Sequence, residues 1–332
     1  MGDVLIRCRM RFIPMATAVL AIAVPTIARA SAQNVSPPAR PTLFLIGDST
    51  VKVGTAGQVG WGERIAEYFD SAAIEIVNAA RGGRSSRTYL TEGLWDKVLE
   101  QMKPGDFVIM QFGHNDGSAL FTGDRPRGSI KGTGEETQEG TVDMTGRPEV
   151  VHSFGWYMRK YVADTRAKGA TPIVCSPIPR NMWKEGRIIR DDYAAWAREV
   201  SVSTGAAFVD LNDIVARRYD DLGPETVSAF FPDDHTHTNA AGAEVNAAAV
   251  VAGLKALREC RLCAYFSGKA TAVRGDRSAL RHRSSPQDPD SVRFAVGDVQ
   301  VATAVRDERM RPRQPAAARV RLGAVAALAR SA

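Results

Sequence analysis

Residues 43–51 read Leu-Phe-Leu-Ile-Gly-Asp-Ser-Thr-Val. The four apolar residues predict a buried β-strand, and Gly47 is typical of a turn that ends one. Such a turn presents the hydroxyl group of Ser49 at the carboxyl end of the strand, where open α/β sheets carry their functional sites. Gly-Asp-Ser alone is more often an ordinary turn, so the interpretation of Ser49 depends on later parts of the chain.

Short apolar runs alternate with stretches of helical spacing between residues 37 and 263, which predicts one folded domain. The predicted strands are Leu43–Ile46, Ile74–Val77, Phe107–Gln111, Pro172–Cys175 and Ala207–Leu211. The predicted helices are Trp61–Phe69, Tyr89–Met102, Val151–Ala167, Asp191–Thr204, Leu211–Tyr219 and Ala240–Leu257. Because the strands are apolar throughout, we expect them to be buried on both faces. The alternation therefore predicts an α/β fold with a five-stranded parallel sheet and helices on both faces.

The two ends of the chain differ from this domain. Residues 1–32 combine arginines, an apolar stretch and Ala-Ser-Ala, which predicts a signal peptide cleaved after Ala32 and a secreted or periplasmic protein. A membrane anchor is the alternative, but prolines interrupt the stretch. Residues 264–332 are basic and without clear periodicity, which predicts a disordered extension. Since the net charge of +6 comes from these ends, it does not indicate nucleic-acid binding by the domain.

A serine nucleophile requires a base within hydrogen-bonding distance. Asp234 and His237 lie in the sequence Phe-Pro-Asp-Asp-His-Thr-His-Thr-Asn at 231–239, just before the last predicted helix. A spacing of three places the two side chains together on a helical turn, so that the carboxylate orients one ring nitrogen while the other faces Ser49. The alternative is that Asp234 only caps the helix.

Metal binding is another alternative for this stretch. Its possible ligands are Asp233, Asp234, His235 and His237. The chain has no His-Glu-x-x-His motif, and Cys260 and Cys263 form a single Cys-x-x-Cys pair, which is a weak metal or redox signal and does not require a disulfide. We therefore predict no metal site.

Acyl transfer also needs hydrogen-bond donors directed at the developing oxyanion. Asn115 follows the third predicted strand and brings a carboxamide to the same edge as Ser49. Gly82 and Gly83 follow the second strand, and either could bring a backbone N–H close to a ligand. No Gly-x-Ser-x-Gly motif is present, which disfavours an ordinary α/β-hydrolase.

Together these residues resemble a known family. Four short motifs occur in the order of the SGNH, or GDSL-type, hydrolases: Gly-Asp-Ser at 47–49, Gly83, Gly-His-Asn-Asp at 113–116 and Asp-x-x-His at 234–237. The stretches 82–89 and 234–243 are similar to the rhamnogalacturonan acetylesterase group of carbohydrate esterases. The resemblance covers about residues 42–257 and identifies the domain at 37–263 as a catalytic domain.

The resemblance implies a three-layer α/β/α sandwich with a flavodoxin-like strand order. It implies Ser49 as nucleophile, His237 as base and then acid, and Asp234 as the residue that orients His237. The oxyanion hole would consist of the backbone N–H groups of Ser49 and Gly83 and the side chain of Asn115. No cofactor is implied.

The substrate is predicted less directly. Two long connections, residues 117–149 and 176–190, leave strands beside Ser49 and are expected to wall a cleft. Candidate substrate-binding residues are Arg84, Arg87, Arg180 and Trp183, with Lys184, Arg187, Trp61 and Trp156 as further possibilities. Basic side chains would pair with uronate carboxylates and tryptophans would stack on sugars; the alternatives are a solvated rim and core packing.

These observations predict an exported serine esterase that hydrolyses O-acetyl esters on plant cell-wall polysaccharide, rhamnogalacturonan or pectin, through an acyl-enzyme. The expected partner is an acetylated polysaccharide or oligosaccharide, with no nucleic acid and no membrane after removal of the signal. A broad-specificity lipase or thioesterase, a non-catalytic carbohydrate-binding protein and a metallohydrolase are the alternatives.

Overall fold

A computed structural model of the chain describes residues 40–276, together with Gly2. Apart from Gly2, the predicted signal peptide at 1–32 lies outside the described residues, as does the part of the predicted extension from residue 277 onward. No helix within residues 40–276 has the length and hydrophobicity that a membrane span requires.

The strands are β1 (Thr42–Gly47), β2 (Glu75–Asn78), β3 (Phe107–Gln111), β4 (Thr137–Val142), β5 (Arg147–His152), β6 (Thr171–Cys175), β7 (Trp183–Lys184), β8 (Arg187–Ile188) and β9 (Ala207–Val209). The α-helices are α1 (Ser86–Thr91), α2 (Leu94–Gln101), α3 (Phe154–Ala167), α4 (Asp192–Thr204), α5 (Leu211–Ser228), α6 (Ala240–Lys255) and α7 (Gly268–Thr271). Short 3-10 helices span Trp61–Glu63, Ile65–Tyr68 and Arg261–Tyr265.

The central sheet contains five parallel strands in the order β2-β1-β3-β6-β9. Numbered along the chain within this sheet alone, the order is 2-1-3-4-5, which is flavodoxin-like. β1 and β3 are neighbours, and Gly47 pairs with Gln111 at their carboxyl ends. The parallel sheet predicted from the sequence is confirmed.

Each face of the sheet packs against its own helices because successive strand residues point to opposite faces. Leu43 and Leu45 belong to the core that includes α5 and α6. Phe44 and Ile46 belong to the core that includes α2, α3 and α4. The molecule therefore has the three-layer α/β/α arrangement that was predicted.

The two long connections carry small antiparallel sheets. β4 and β5 form a hairpin within and just beyond the connection 117–149, and β7 and β8 form a very short one within 176–190. The helix predicted to begin at Val151 begins at Phe154, because Ser153 caps it by accepting a hydrogen bond from the backbone N–H of Trp156.

The folded domain extends past its predicted boundary at residue 263. Leu262 and Ala270 are fully buried in the core next to α5 and α6, and the ring of Phe266 contacts that of Phe69 at 5.2 Å. Asp276 still donates its backbone N–H to Ala252. Residues 264–276 are thus ordered, unlike the disordered extension that was predicted. Their apolar residues serve one short 3-10 helix and one short α-helix, so they show no helical period in the sequence.

Cys260 and Cys263, the Cys-x-x-Cys pair, are joined by a disulfide at the start of this segment.

Candidate active site

Ser49 lies in a tight turn directly after β1. The carbonyl oxygen of Asp48 accepts hydrogen bonds from the backbone N–H groups of Val51 and Lys52, and its carboxylate accepts both the N–H and the hydroxyl of Thr50. A methyl group at Gly47 would lie 2.6 Å from the carbonyl oxygen of Gln111, so only glycine fits where this turn leaves the sheet.

Ser49, His237 and Asp234 form one hydrogen-bonded chain. The Nε2 atom of His237 lies 2.8 Å from Oγ of Ser49, and its Nδ1 atom lies 2.7 Å from Oδ2 of Asp234. Ser49 follows β1 whereas the other two residues precede α6, so the sheet and the last large helix bring together groups 188 positions apart. The arrangement can move a proton from the serine hydroxyl to the imidazole.

Asp234 is held in its ionised form. Burial acts to raise its pKa, but hydrogen bonds from the His237 ring and from the backbone N–H groups of His237 and Thr236 outweigh this and lower the pKa to about 2. An ionised carboxylate at Nδ1 fixes the ring tautomer, with the proton on Nδ1 and a lone pair on Nε2 facing Ser49.

A cavity of about 510 Å³ opens at this chain of residues and is lined by Ser49, Gly83, Asn115 and His237, among others. The backbone of Gly83 has a φ of +79°, which glycine adopts without strain. Among residues 40–276 no group accepts a hydrogen bond from the backbone N–H of Ser49 or of Gly83. Those two donors are therefore available to a ligand.

Asn115 is oriented by the backbone of its neighbour in the site. Its Nδ2 atom donates one of its two hydrogens to the carbonyl oxygen of Arg84 at 2.8 Å. The second amide hydrogen is left available to a ligand. The side chain is 6% exposed, so its orientation is set by the fold. Both Gly82 and Gly83 line the cavity.

A buried hydrogen-bonded pair, Asp48 and His114, lies under the nucleophile turn. Oδ2 of Asp48 is 3.1 Å from Nδ1 of His114, and Nε2 of His114 is 3.0 Å from the carbonyl oxygen of Ile178. Burial acts to raise the pKa of Asp48, but the charge of His114 and hydrogen bonds from His114 and Thr50 lower it. Both ring nitrogens of His114 are therefore within hydrogen-bonding distance of an oxygen atom.

The four predicted substrate-binding side chains do not line the cavity. Arg87 is 1% exposed and pairs with Glu149 through two hydrogen bonds while donating to two backbone carbonyls. Arg84 pairs with Glu92, and Arg180 pairs with Asp191. The substrate-binding predictions for these arginines are therefore replaced by structural roles, because a carboxylate of the chain already occupies each guanidinium group.

The tryptophans also lie elsewhere. Trp183 packs against the core next to α5 and donates Nε1 to Asn181. Trp61 is fully buried, and Trp156 stacks on His152 with 3.8 Å between ring centroids. Lys184 and Arg187 are exposed outside the cavity. Core packing therefore replaces the predicted role of Trp183 in sugar stacking.

The cavity instead carries four cationic side chains that the sequence did not single out: Lys52, Arg81, Arg125 and Arg127. Two of them belong to the connection 117–149, which was expected to wall the cleft. The sequence Asp-Arg-Pro-Arg at 124–127 has no feature that separates it from other charged surface loops. Only its position beside Ser49 in the folded protein indicates a role at the site.

Within residues 40–276, no three His, Cys, Asp or Glu side chains are grouped so that they could hold a metal ion. Of the ligand types near His237, Asp234 is bonded to the imidazole and Asp233 accepts a hydrogen bond from Gln58.

The fold and this site define a carboxylic ester hydrolase. The model of the GDSL-like lipase/acylhydrolase family matches residues 45–245, and the chain belongs to this family.

Three relatives illustrate the similarity. The chain is 38% identical to the rhamnogalacturonan acetylesterase of Emericella nidulans over 206 residues, covering 61% of this chain and 80% of that protein. It is 28% identical to YesY of Bacillus subtilis, named a probable rhamnogalacturonan acetylesterase, covering 65% of this chain and 93% of YesY. The crystal structure of YxiM from Bacillus subtilis is similar with a TM-score of 0.51 at 26% identity, covering 65% of this chain and 56% of YxiM.

Proposed function

We propose that the protein is an exported serine esterase that removes acetyl groups from plant cell-wall polysaccharide, with rhamnogalacturonan as its substrate. The observation that carries the proposal is the 2.8 Å contact between Oγ of Ser49 and Nε2 of His237, inside a cavity lined by Gly83 and Asn115. The names of two relatives support the substrate. Export is supported by the sequence of residues 1–32 alone.

In the first half of the proposed reaction, Nε2 of His237 takes the hydroxyl proton as Oγ of Ser49 attacks the acetyl carbonyl carbon. The N–H groups of Ser49 and Gly83 and the amide of Asn115 stabilise the oxyanion. When this intermediate collapses, the bond between the carbonyl carbon and the sugar oxygen breaks. His237 returns its proton to that oxygen, which leaves an alcohol on the sugar and an acetyl group on Ser49.

In the second half, water attacks the acetyl-serine and gives a proton to His237. Collapse breaks the bond between the carbonyl carbon and Oγ of Ser49, releases acetate and returns the proton to Ser49. Asp234 stays ionised throughout and stabilises the imidazolium that forms in each half.

A lipase or thioesterase acting on long acyl chains is less compatible with the cavity. Apart from glycines, Val53 and Ala80 are its apolar lining residues, and neither forms a long apolar wall.

Acetate release tests the activity. The wild type is expected to release acetate from acetylated rhamnogalacturonan and from an aryl acetate, and less from acetylated xylan. Ser49→Ala is expected to reduce the rate by about 10⁴-fold or more. Ser71→Ala is the matched control and should behave as wild type, because Ser71 is an exposed serine just after the first two 3-10 helices. Acetate release by the Ser49→Ala protein at the wild-type rate would refute the proposal.

Export is tested separately, by the amino-terminal sequence of the protein recovered from outside the cytoplasm. We expect it to begin at Gln33. Recovery from the cytoplasm with Met1 or Gly2 in place would contradict export while leaving the esterase proposal untouched.

A further inference from the structure

The cavity at Ser49 is strongly cationic. Among its lining residues are Lys52, Arg81, Arg125 and Arg127, and none of its lining residues is an Asp or Glu. In the part of the chain that the structure describes, no carboxylate forms an ion pair with any of these four side chains. This differs from Arg84, Arg87 and Arg180 nearby, each of which has a carboxylate partner.

Arg125 and Arg127 lie directly over Gly83. Nη1 of Arg127 donates to the carbonyl oxygen of Gly83 at 3.0 Å, and its Nε atom lies 3.4 Å from Oγ of Ser118. A methyl group at Gly83 would lie 2.8 Å from Nη2 of Arg125 and 3.3 Å from Nη1 of Arg127. Two guanidinium groups therefore border the residue proposed to donate to the oxyanion.

The fold holds the backbone around these two arginines in place, and no carboxylate is paired with either side chain within residues 40–276. Pro126 between them is buried, and the carbonyl oxygen of Gly128 accepts a hydrogen bond from the buried guanidinium of Arg87 at 2.9 Å. Desolvation and then the charge of Arg125 lower the pKa of Arg127. Two like charges held close together are unfavourable by themselves, and an anion bound between them would relieve this.

We propose that Arg125 and Arg127 form a carboxylate-binding subsite that holds a uronate group of the substrate beside the acetyl ester. The enzyme then selects acetyl esters on acidic sugar chains over the same esters on neutral chains, and the proposal rests on the acetylesterase function given above. Guanidinium groups suit this task because their planar N–H donors match the two oxygens of a carboxylate. Lys52 and Arg81 add positive charge on the same cavity wall.

The test compares two substrates that differ in the charge of their carboxyl groups. One is an O-acetylated galacturonate oligosaccharide, and the other is the same compound with its carboxyl groups methyl-esterified. The wild type is expected to release acetate from the acidic form with a kcat/KM about tenfold or more above that for the neutral form. In the Arg125→Gln/Arg127→Gln variant this ratio should fall below about twofold, chiefly through a higher KM for the acidic form.

Two further measurements separate binding from folding. Arg187→Gln removes the same charge from an exposed side chain outside the cavity and should keep the wild-type ratio. Arg125→Lys keeps the charge but loses the planar donors, and an intermediate ratio is expected. Added sodium chloride should lower the wild-type ratio, because it screens the charge interaction.

The outcomes are distinguishable from failure of the proposed function. An uncharged aryl acetate reports whether each protein is an active esterase at all. Wild-type protein that hydrolyses the aryl acetate but treats the acidic and neutral oligosaccharides alike would overturn the carboxylate subsite and leave the esterase proposal standing. The carboxylate subsite would also be overturned if kcat/KM of the double variant fell equally on all three substrates. The same holds if the double variant kept the wild-type ratio of kcat/KM between the acidic and the neutral oligosaccharide.

Discussion

His114 supports the nucleophile without reaching the substrate cavity. It bridges the carboxylate of Asp48, the residue before Ser49, and the carbonyl oxygen of Ile178 in the connection that follows β6. The side chains of both members are nearly inaccessible, with 2% and 0% exposure. A buried carboxylate is costly to the fold when one of its hydrogen-bond donors is removed.

Replacing His114 by Ala should therefore remove the partner of Oδ2 of Asp48, while Oδ1 keeps its two hydrogen bonds from Thr50. We expect the free energy of unfolding to fall by about 1–3 kcal/mol, measured by urea denaturation. The double variant Asp48→Asn/His114→Gln replaces the carboxylate by a neutral amide and should recover part of this loss. An unfolding midpoint of His114→Ala equal to that of the wild type would contradict the pairing.

The free energy of unfolding should depend on pH through the buried carboxyl group of Asp116. Burial raises its pKa from 3.8 to about 6, and hydrogen bonds from Ser86 and Ser129 offset only part of this effect. Between these values the folded protein holds a proton that the unfolded chain has released. Its contribution to stability is therefore greatest below about pH 4 and is lost as the pH rises through about 6.

The free energy of unfolding of the wild type should accordingly fall relative to Asp116→Asn between about pH 4 and pH 6. The expected change is on the order of 1–3 kcal/mol. Chemical denaturation of both proteins across this range measures it. A difference between the two proteins that stays constant, or that moves in the opposite direction, would show that folding does not raise the pKa of Asp116.

At the scale of structural elements, Arg87 links the connection 117–149 to helix α1 through hydrogen bonds. Its guanidinium donates to both oxygens of Glu149 and to the carbonyl oxygens of Leu120 and Gly128. This one side chain joins the hairpin of β4 and β5 to the segment that carries Arg125, in addition to backbone hydrogen bonds such as that from Ser129 to Asp116.

Arg87→Lys should lower the free energy of unfolding by about 2–4 kcal/mol, because an ammonium group cannot make the same set of bonds. Arg84→Lys is the matched control. Its pair with Glu92 is partly exposed, so a change within about 1 kcal/mol is expected. Equal effects of the two substitutions on urea denaturation would refute the special role of Arg87.

The elements differ in how far the sequence predicts them. The sheet strands are predictable because burial on both faces gives continuous apolar runs, as in Phe107–Gln111. The strand Thr137–Val142 is mostly exposed and polar, so its pairing with Arg147–His152 leaves no apolar period to detect. Asp234 and His237 are predictable because their contact is local, three positions apart.

Arginine partners are harder to predict because they are set by tertiary structure. The sequence places Arg84 and Arg87 next to Gly83 and makes them natural ligand-binding candidates. The fold gives both of them carboxylates of the chain, 8 and 62 positions away. The arginines that line the cavity are Arg125 and Arg127, which lie about 40 positions from Gly83 in the sequence.

At the scale of the whole molecule, residues 264–276 close the core under α5 and α6. Ala270 is buried, Phe266 covers Phe69, and Lys269 pairs with Glu67 and Glu244. A segment with these contacts belongs to the folded domain.

A chain ending after residue 263 should be less stable than one ending after residue 276 by about 2–5 kcal/mol, because it exposes apolar surface of the core. Thermal and urea unfolding of the two truncated proteins measure the difference. Identical unfolding midpoints would show that residues 264–276 lie on the domain without contributing to its stability.

The central claim is that His237 activates Ser49 as a nucleophile. Mass spectrometry after reaction with a fluorophosphonate, which labels activated serines, tests it most directly. We expect a single adduct on the peptide that contains Ser49 in the wild type, and a loss of labelling in His237→Ala. An adduct on a different residue, or equal labelling of Ser49 when His237 is absent, would contradict the claim.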